Sequence, residues 1–116
     1  MPRSEARVAT HRSARYAKQL AAHLGRRVEA HWSEETGRGE LTFGGGTATL
    51  VAETDALLLA VEGDTDDLAG LEDVVGRHLV RFGSRDELVV EWHRDNGEAG
   101  LVHRNEEPSS EESPAA

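Results

Sequence analysis

Cysteine is absent. That omission excludes disulfides, thiolate-bound metals, iron–sulfur clusters and a cysteine nucleophile. No apolar run approaches the roughly 18–20 residues that cross a bilayer, and the opening MPRSEARVATHRSARYAKQL is too charged for a secretory signal. The expectation is a soluble, cytoplasmic protein with no membrane partner. Several catalytic and ligand-binding spacings are missing as well. There is no H-E-x-x-H or H-x-x-x-H, no GKS or GKT after the glycine run, and no calcium loop with its terminal Glu after Asp64, Asp66 and Asp67. None of the serines of the main body (Ser4, Ser13, Ser33, Ser84) sits in a nucleophile elbow. The sequence points away from an enzyme and proposes no catalytic residue.

What is present is one small domain's worth of chain: 116 residues, 37% hydrophobic and 30% charged. Thirteen basic residues face 22 acidic ones, a formal charge of −9. The distribution is uneven. Residues 1–38 carry eight Lys/Arg against four acids, whereas residues 39–94 carry four against twelve. Nucleic-acid binding needs cations that displace counterions, so the overall acidity argues against that partner. The early basic residues Arg7, Arg12, Arg15, Lys18, Arg26 and Arg27 read either as a solvated face or as a place to meet an anion.

Periodicity outlines the elements. Residues 6–10 alternate as a short strand. Ser13 stands as an N-cap before Ala14, Ala17, Leu20, Ala21 and Leu24 at helical spacing, and Gly25 is expected to close that helix in the left-handed region. Val28, Ala30 and Trp32 mark a second strand, and Glu34 to Gly39 a polar turn. Leu41 and Phe43 mark a third strand, Gly44-Gly45-Gly46 a hairpin turn needing positive φ, and residues 47–53 a fourth. Thr54-Asp55 turns into a fifth strand at 56–62, whose run Leu57-Leu58-Leu59 leaves its register open. Asp64 or Thr65 caps a second helix with the stripe Leu68, Leu71, Val75, Leu79 and Phe82, ended by Gly83. Leu88, Val90 and Trp92 mark a sixth strand.

This order, β-α-β-β-β-β-α-β, defines an α+β two-layer sandwich: a mostly antiparallel sheet with both helices on one face. It is similar to TATA-binding-protein-like folds, an analogy that carries no function. Residues 5–95 are the expected domain, and the acidic segment 96–116, rich in Glu, Ser, Pro and Ala, is expected to be disordered. Only Leu101 and Val102 offer it apolar anchors. His23-Leu24-Gly25 and its following strand are echoed by His78-Leu79 with Gly83, an echo that the common helix–glycine–strand unit explains.

Four stretches together are more specific: ARYAKQLAAHLGRRVE (14–29), LTFGGGTATLVAE (41–53), LEDVVGRHLVRFG (71–83) and DELVVEW (86–92). Over residues 5–94 the chain resembles a bacterial domain-of-unknown-function family, number 2218. Related domains stand beside siderophore-interacting, flavin-dependent ferric reductases. The resemblance therefore implies an association with iron handling and such a reductase as a partner, with no catalytic motif to carry over.

Two candidate surfaces remain. His31 and His93 fall on the strand face opposite Trp32 and Trp92, away from the helices. Were their strands neighbours, they would supply two ligands for a metal or haem, completed by Glu29, Glu40, Glu91 or a second copy; otherwise they are exposed, unpaired histidines and no cofactor is bound. His78, on the helical stripe, reads as a packed histidine. The uncovered face is expected to carry Thr42, Thr49, Leu58, Ala60, Val89 and Glu91, and homodimerisation through it is the expected use. The favoured reading is a non-catalytic module that binds a ligand or partner. The alternative is a small metal- or haem-binding protein or enzyme using the surface histidines.

Overall fold

The computed structural model describes residues 2–82 and 88–104. The chain runs β1 (Arg3–Ala9), α1 (Ser13–Leu24), β2 (Glu29–Ser33), β3 (Arg38–Phe43), β4 (Gly46–Ala52), β5 (Ala56–Gly63), α2 (Thr65–Phe82), β6 (Val89–Arg94) and β7 (Ala99–Arg104). The strands form one sheet in the order β2-β3-β4-β5-β1-β6-β7. Every described pairing is antiparallel. The α+β sandwich read from the alternation is the fold observed, extended by a seventh strand. No helix among the described residues is long and apolar enough to cross a membrane.

Alternation assigns the inner face. Trp32, Gly39, Leu50, Leu59 and Ala6 stand in register across β2, β3, β4, β5 and β1. Gly39 is needed there, because a Cβ would lie 3.0 Å from the Trp32 ring. The two helices lay Tyr16, Leu20, Leu24, Leu71, Val75 and Leu79 onto this face, and Trp92 closes the core with 1% of its surface exposed. Each such buried large side chain contributes about 1.5–3 kcal/mol. On β5, Leu57 and Leu59 point inward and Leu58 outward, which settles its register.

Three local expectations are corrected. Ser13 is not an N-cap. Arg12 holds that position without a side-chain cap, and the Ser13 hydroxyl donates instead to the Glu53 carbonyl, tying α1 to the end of β4. Gly25 is right-handed, at φ −63°, and is required by close approach: a Cβ would lie 2.7 Å from the Ala21 carbonyl. Positive φ also fails to explain the Gly44–Gly46 turn, since among the described residues only Gly37 and Gly97 have it. A Cβ on Gly45 would strike the Asp67 side chain at 2.8 Å, and one on Gly46 the Glu62 carbonyl and the Leu71 side chain, so these two glycines let the hairpin pack against β5 and the early turns of α2, whereas Gly44 faces open space.

The unpaired tail expected at 96–116 is corrected over its first part. Ala99–Arg104 pairs with β6 as a seventh strand, with a bulge opposite Trp92. Its anchors are polar. Glu72 is fully buried and accepts hydrogen bonds from Arg94 Nε (3.1 Å), Arg94 Nη2 (3.0 Å) and the Leu101 amide (3.1 Å). His103 meets Asp73 at 3.2 Å and lies against Gly76. Burial pushes the Glu72 carboxyl up, but the hydrogen bonds from Arg94 and Leu101 outweigh it and hold the group below the usual carboxylate range. Leu101 and Val102 stay exposed, at 37% and 54%, so apolar docking is not what holds the strand. Residues 105–116, and the helix stop expected at Gly83, lie outside the described residues.

Candidate functional site: the open face of the sheet

Among the described residues, the helices occupy one face and leave the other open. Two neighbouring rows cross that open face. In the first, Arg38, Val51, Leu58 and Arg7 stand in register on β3, β4, β5 and β1. In the second, roughly 7 Å along the strands, the same strands carry Glu40, Thr49, Ala60 and Glu5. A concavity of about 460 Å³ follows these rows, with Thr49, Val51, Leu58 and Ala60 as its half-buried floor and Arg3, Arg7, Arg38, Glu5 and His93 at its rim. The middle of the face is thus apolar or small, and its ends are charged.

The rim charges are loosely engaged. Arg3 reaches Glu5 at 2.7 Å and Glu62 at 2.9 Å, and these two carboxylates, Glu5 first, raise its already high pKa. Arg7 meets Asp55 at 3.3 Å, with both side chains more than half exposed. Exposed pairs of this kind contribute at most about 1 kcal/mol and exchange partners readily. Arg38 makes no ion pair among the described residues.

His31 and His93 do lie on this face, and both are exposed. They even share a row: His31 pairs with Glu40 at one end, and His93 with Glu5 at the other. Yet β3, β4, β5 and β1 stand between their strands. Five inter-strand steps separate them by roughly 24 Å, so one ion cannot take both from a single chain. His31 Nε2 instead meets Glu29 at 3.1 Å. Among the described residues no group of three or more His, Asp or Glu is gathered to hold a metal. His78 is half-buried, and its Nδ1 stands 2.7 Å from the Val74 carbonyl, which makes that nitrogen the donor. Arg38 was not singled out from the sequence, although its alternation with Glu40 and Thr42 on β3 marks it as outward-facing.

The fold and this surface define a class: a two-layer α+β sandwich whose sheet, among the described residues, is covered by helices on one side. The family model for DUF2218, described as an uncharacterized protein conserved in bacteria, matches residues 5–93, and the chain belongs to that family. The match ends before β7. Among solved structures, the chain is similar to the NMR structure of PA4090 from Pseudomonas aeruginosa. The two share 31% identity over 84% of this chain and 99% of that one, with a TM-score of 0.65. None of the curated proteins matches the chain in sequence.

Proposed function

We propose that this chain is a non-catalytic binding module that works through its open sheet face, and that the occupant of that face is a second copy of the chain. The two rows carry the reading. A twofold axis lying between them, perpendicular to the strands, sets the first row of one copy onto the second row of the other. Arg38 then meets the partner's Glu40, Arg7 meets the partner's Glu5, Val51 lies on Thr49 and Leu58 on Ala60. Charges oppose, and each larger apolar side chain meets a smaller one, as an isologous interface requires.

Charge and area support the same occupant. The open face carries Arg3, Arg7, Arg38 and Arg104 against Glu5, Glu29, Glu40, Glu62 and Glu91, nearly balanced in a chain of net −9. Seven strands of about six residues span roughly 700 Å², close to the ~800 Å² each partner contributes to a stable interface.

Sedimentation velocity over a concentration series tests the reading. The native chain is expected to sediment as a dimer, and Leu58→Glu as a monomer with unchanged far-ultraviolet circular dichroism. A native chain that remains monomeric from micromolar to millimolar concentration contradicts it.

A further inference from the structure

A second concavity lies on the opposite side of the molecule, where the end of α1 meets the later turns of α2. Its volume is about 520 Å³. Five basic side chains line it: His23, Arg26 and Arg27 from the end of α1 and the turn after it, and Arg77 and His78 from α2. Leu24, Val28, Phe43 and Val74 supply an apolar wall. In a protein of net charge −9 this is a concentration of one sign that chance placement does not favour.

Complementing the helix dipole accounts for part of it, because cations belong at the C-terminal end of α1. It does not account for Arg77 and His78, which stand on another helix and line the same space. Their local neutralisation is partial. Arg77 has a 3.3 Å contact with Asp73, which also receives His103, while Arg26 and Arg27 make no ion pair among the described residues. The His23 ring packs against His78 at 5.0 Å and edge-on to Phe82 at 5.3 Å. Desolvation first, then His78, Arg26, Arg27 and Arg81, hold the His23 imidazole below its ordinary value.

We propose that this cleft binds a small phosphate monoester with an apolar body. Guanidinium forks match phosphate oxygens, and a dianion set among several of them would offset their mutual repulsion. The wall of Leu24, Val28, Phe43 and Val74 is the place for the ester's apolar part, as in most small-molecule sites. The site is separate from the open sheet face and does not depend on its use.

The test is a heteronuclear NMR titration of the full chain with phenyl phosphate and with inorganic phosphate as probes. Amide shifts are expected in residues 23–28 and 74–82, with phenyl phosphate binding about tenfold more tightly than inorganic phosphate. Arg27→Gln/Arg77→Gln, at two exposed positions, is expected to keep the spectrum of a folded protein and weaken phenyl phosphate by about tenfold or more. Arg12→Gln/Arg15→Gln removes the same charge from the other end of α1 and is expected to leave binding intact. Shifts that map elsewhere, equal weakening by both double variants, or equal affinity for the two probes would overturn the proposal.

Discussion

Leu57, Leu58 and Leu59 are three identical residues in succession on one strand, and they belong to two different surfaces. Leu57 and Leu59 are 0% and 2% exposed beneath the helices, whereas Leu58 lies half-buried on the face opposite α1 and α2. The covered face is spent on the core, with Leu41, Leu50 and Trp92 completing it. The open face carries charge at its ends and Val51, Leu58, Thr49 and Ala60 at its centre. One face therefore holds the fold together, and the other is the one we propose the folded chain uses to meet its partner.

Substitutions on the two faces separate these roles. Leu59→Ala, on the covered side, is expected to cost about 2–5 kcal/mol in urea unfolding through the cavity it leaves. Glu72 is the exception on that side, a buried charge among apolar groups. Glu72→Ala strips Arg94 and the Leu101 amide of their acceptor and is expected to cost about 1.5–3 kcal/mol, with the earliest hydrogen exchange at residues 99–104.

The same carboxylate gives a pH dependence. Its folded pKa is depressed, so its contribution is fully present above the ordinary carboxylate range and is lost as pH falls through the lowered value. Acidification is expected to release β7 amides before those of α1, and Glu72→Gln, which mimics the protonated carboxyl, to loosen β7 at every pH and so abolish the pH dependence. On the open side, Leu58→Ala is expected to change the stability of the monomer by less than about 1 kcal/mol. Smallest of all is the expected effect of His31→Ala/His93→Ala on zinc or haem titration. Native and variant chains should bind equally weakly, because four strands stand between the two imidazoles.

Much of this was legible in the sequence, because alternation and helical stripes are local. Val28, Ala30 and Trp32, or Leu88, Val90 and Trp92, announce their strands and inner faces without knowledge of their neighbours. What alternation does not contain is strand order. The placement of β1 between β5 and β6 is a tertiary fact, and it alone separates His31 from His93. β7 was missed for a related reason. AGLVHR has little apolar material, and its anchors Glu72, Asp73 and Gly76 lie more than twenty residues away on α2. Gly45 and Gly46 mark a turn for a cause other than positive φ, since the groups a Cβ would strike there, the Asp67 and Leu71 side chains of α2 and the Glu62 carbonyl of β5, come together only in the folded chain. Arg38 and Glu40, adjacent outward positions of one strand, acquire meaning only when their rows are laid across four strands.

The most direct test of the open face as a twofold interface is charge reversal at Arg38 and Glu40, read as the dimer dissociation constant by sedimentation equilibrium. Arg38→Glu and Glu40→Arg are each expected to weaken the dimer, since each sets like charges against one another across the axis. The double variant Arg38→Glu/Glu40→Arg is expected to recover native affinity, because each reversed position again faces its opposite on the partner. Single reversals without effect, or a double variant weaker than either single one, would contradict the account.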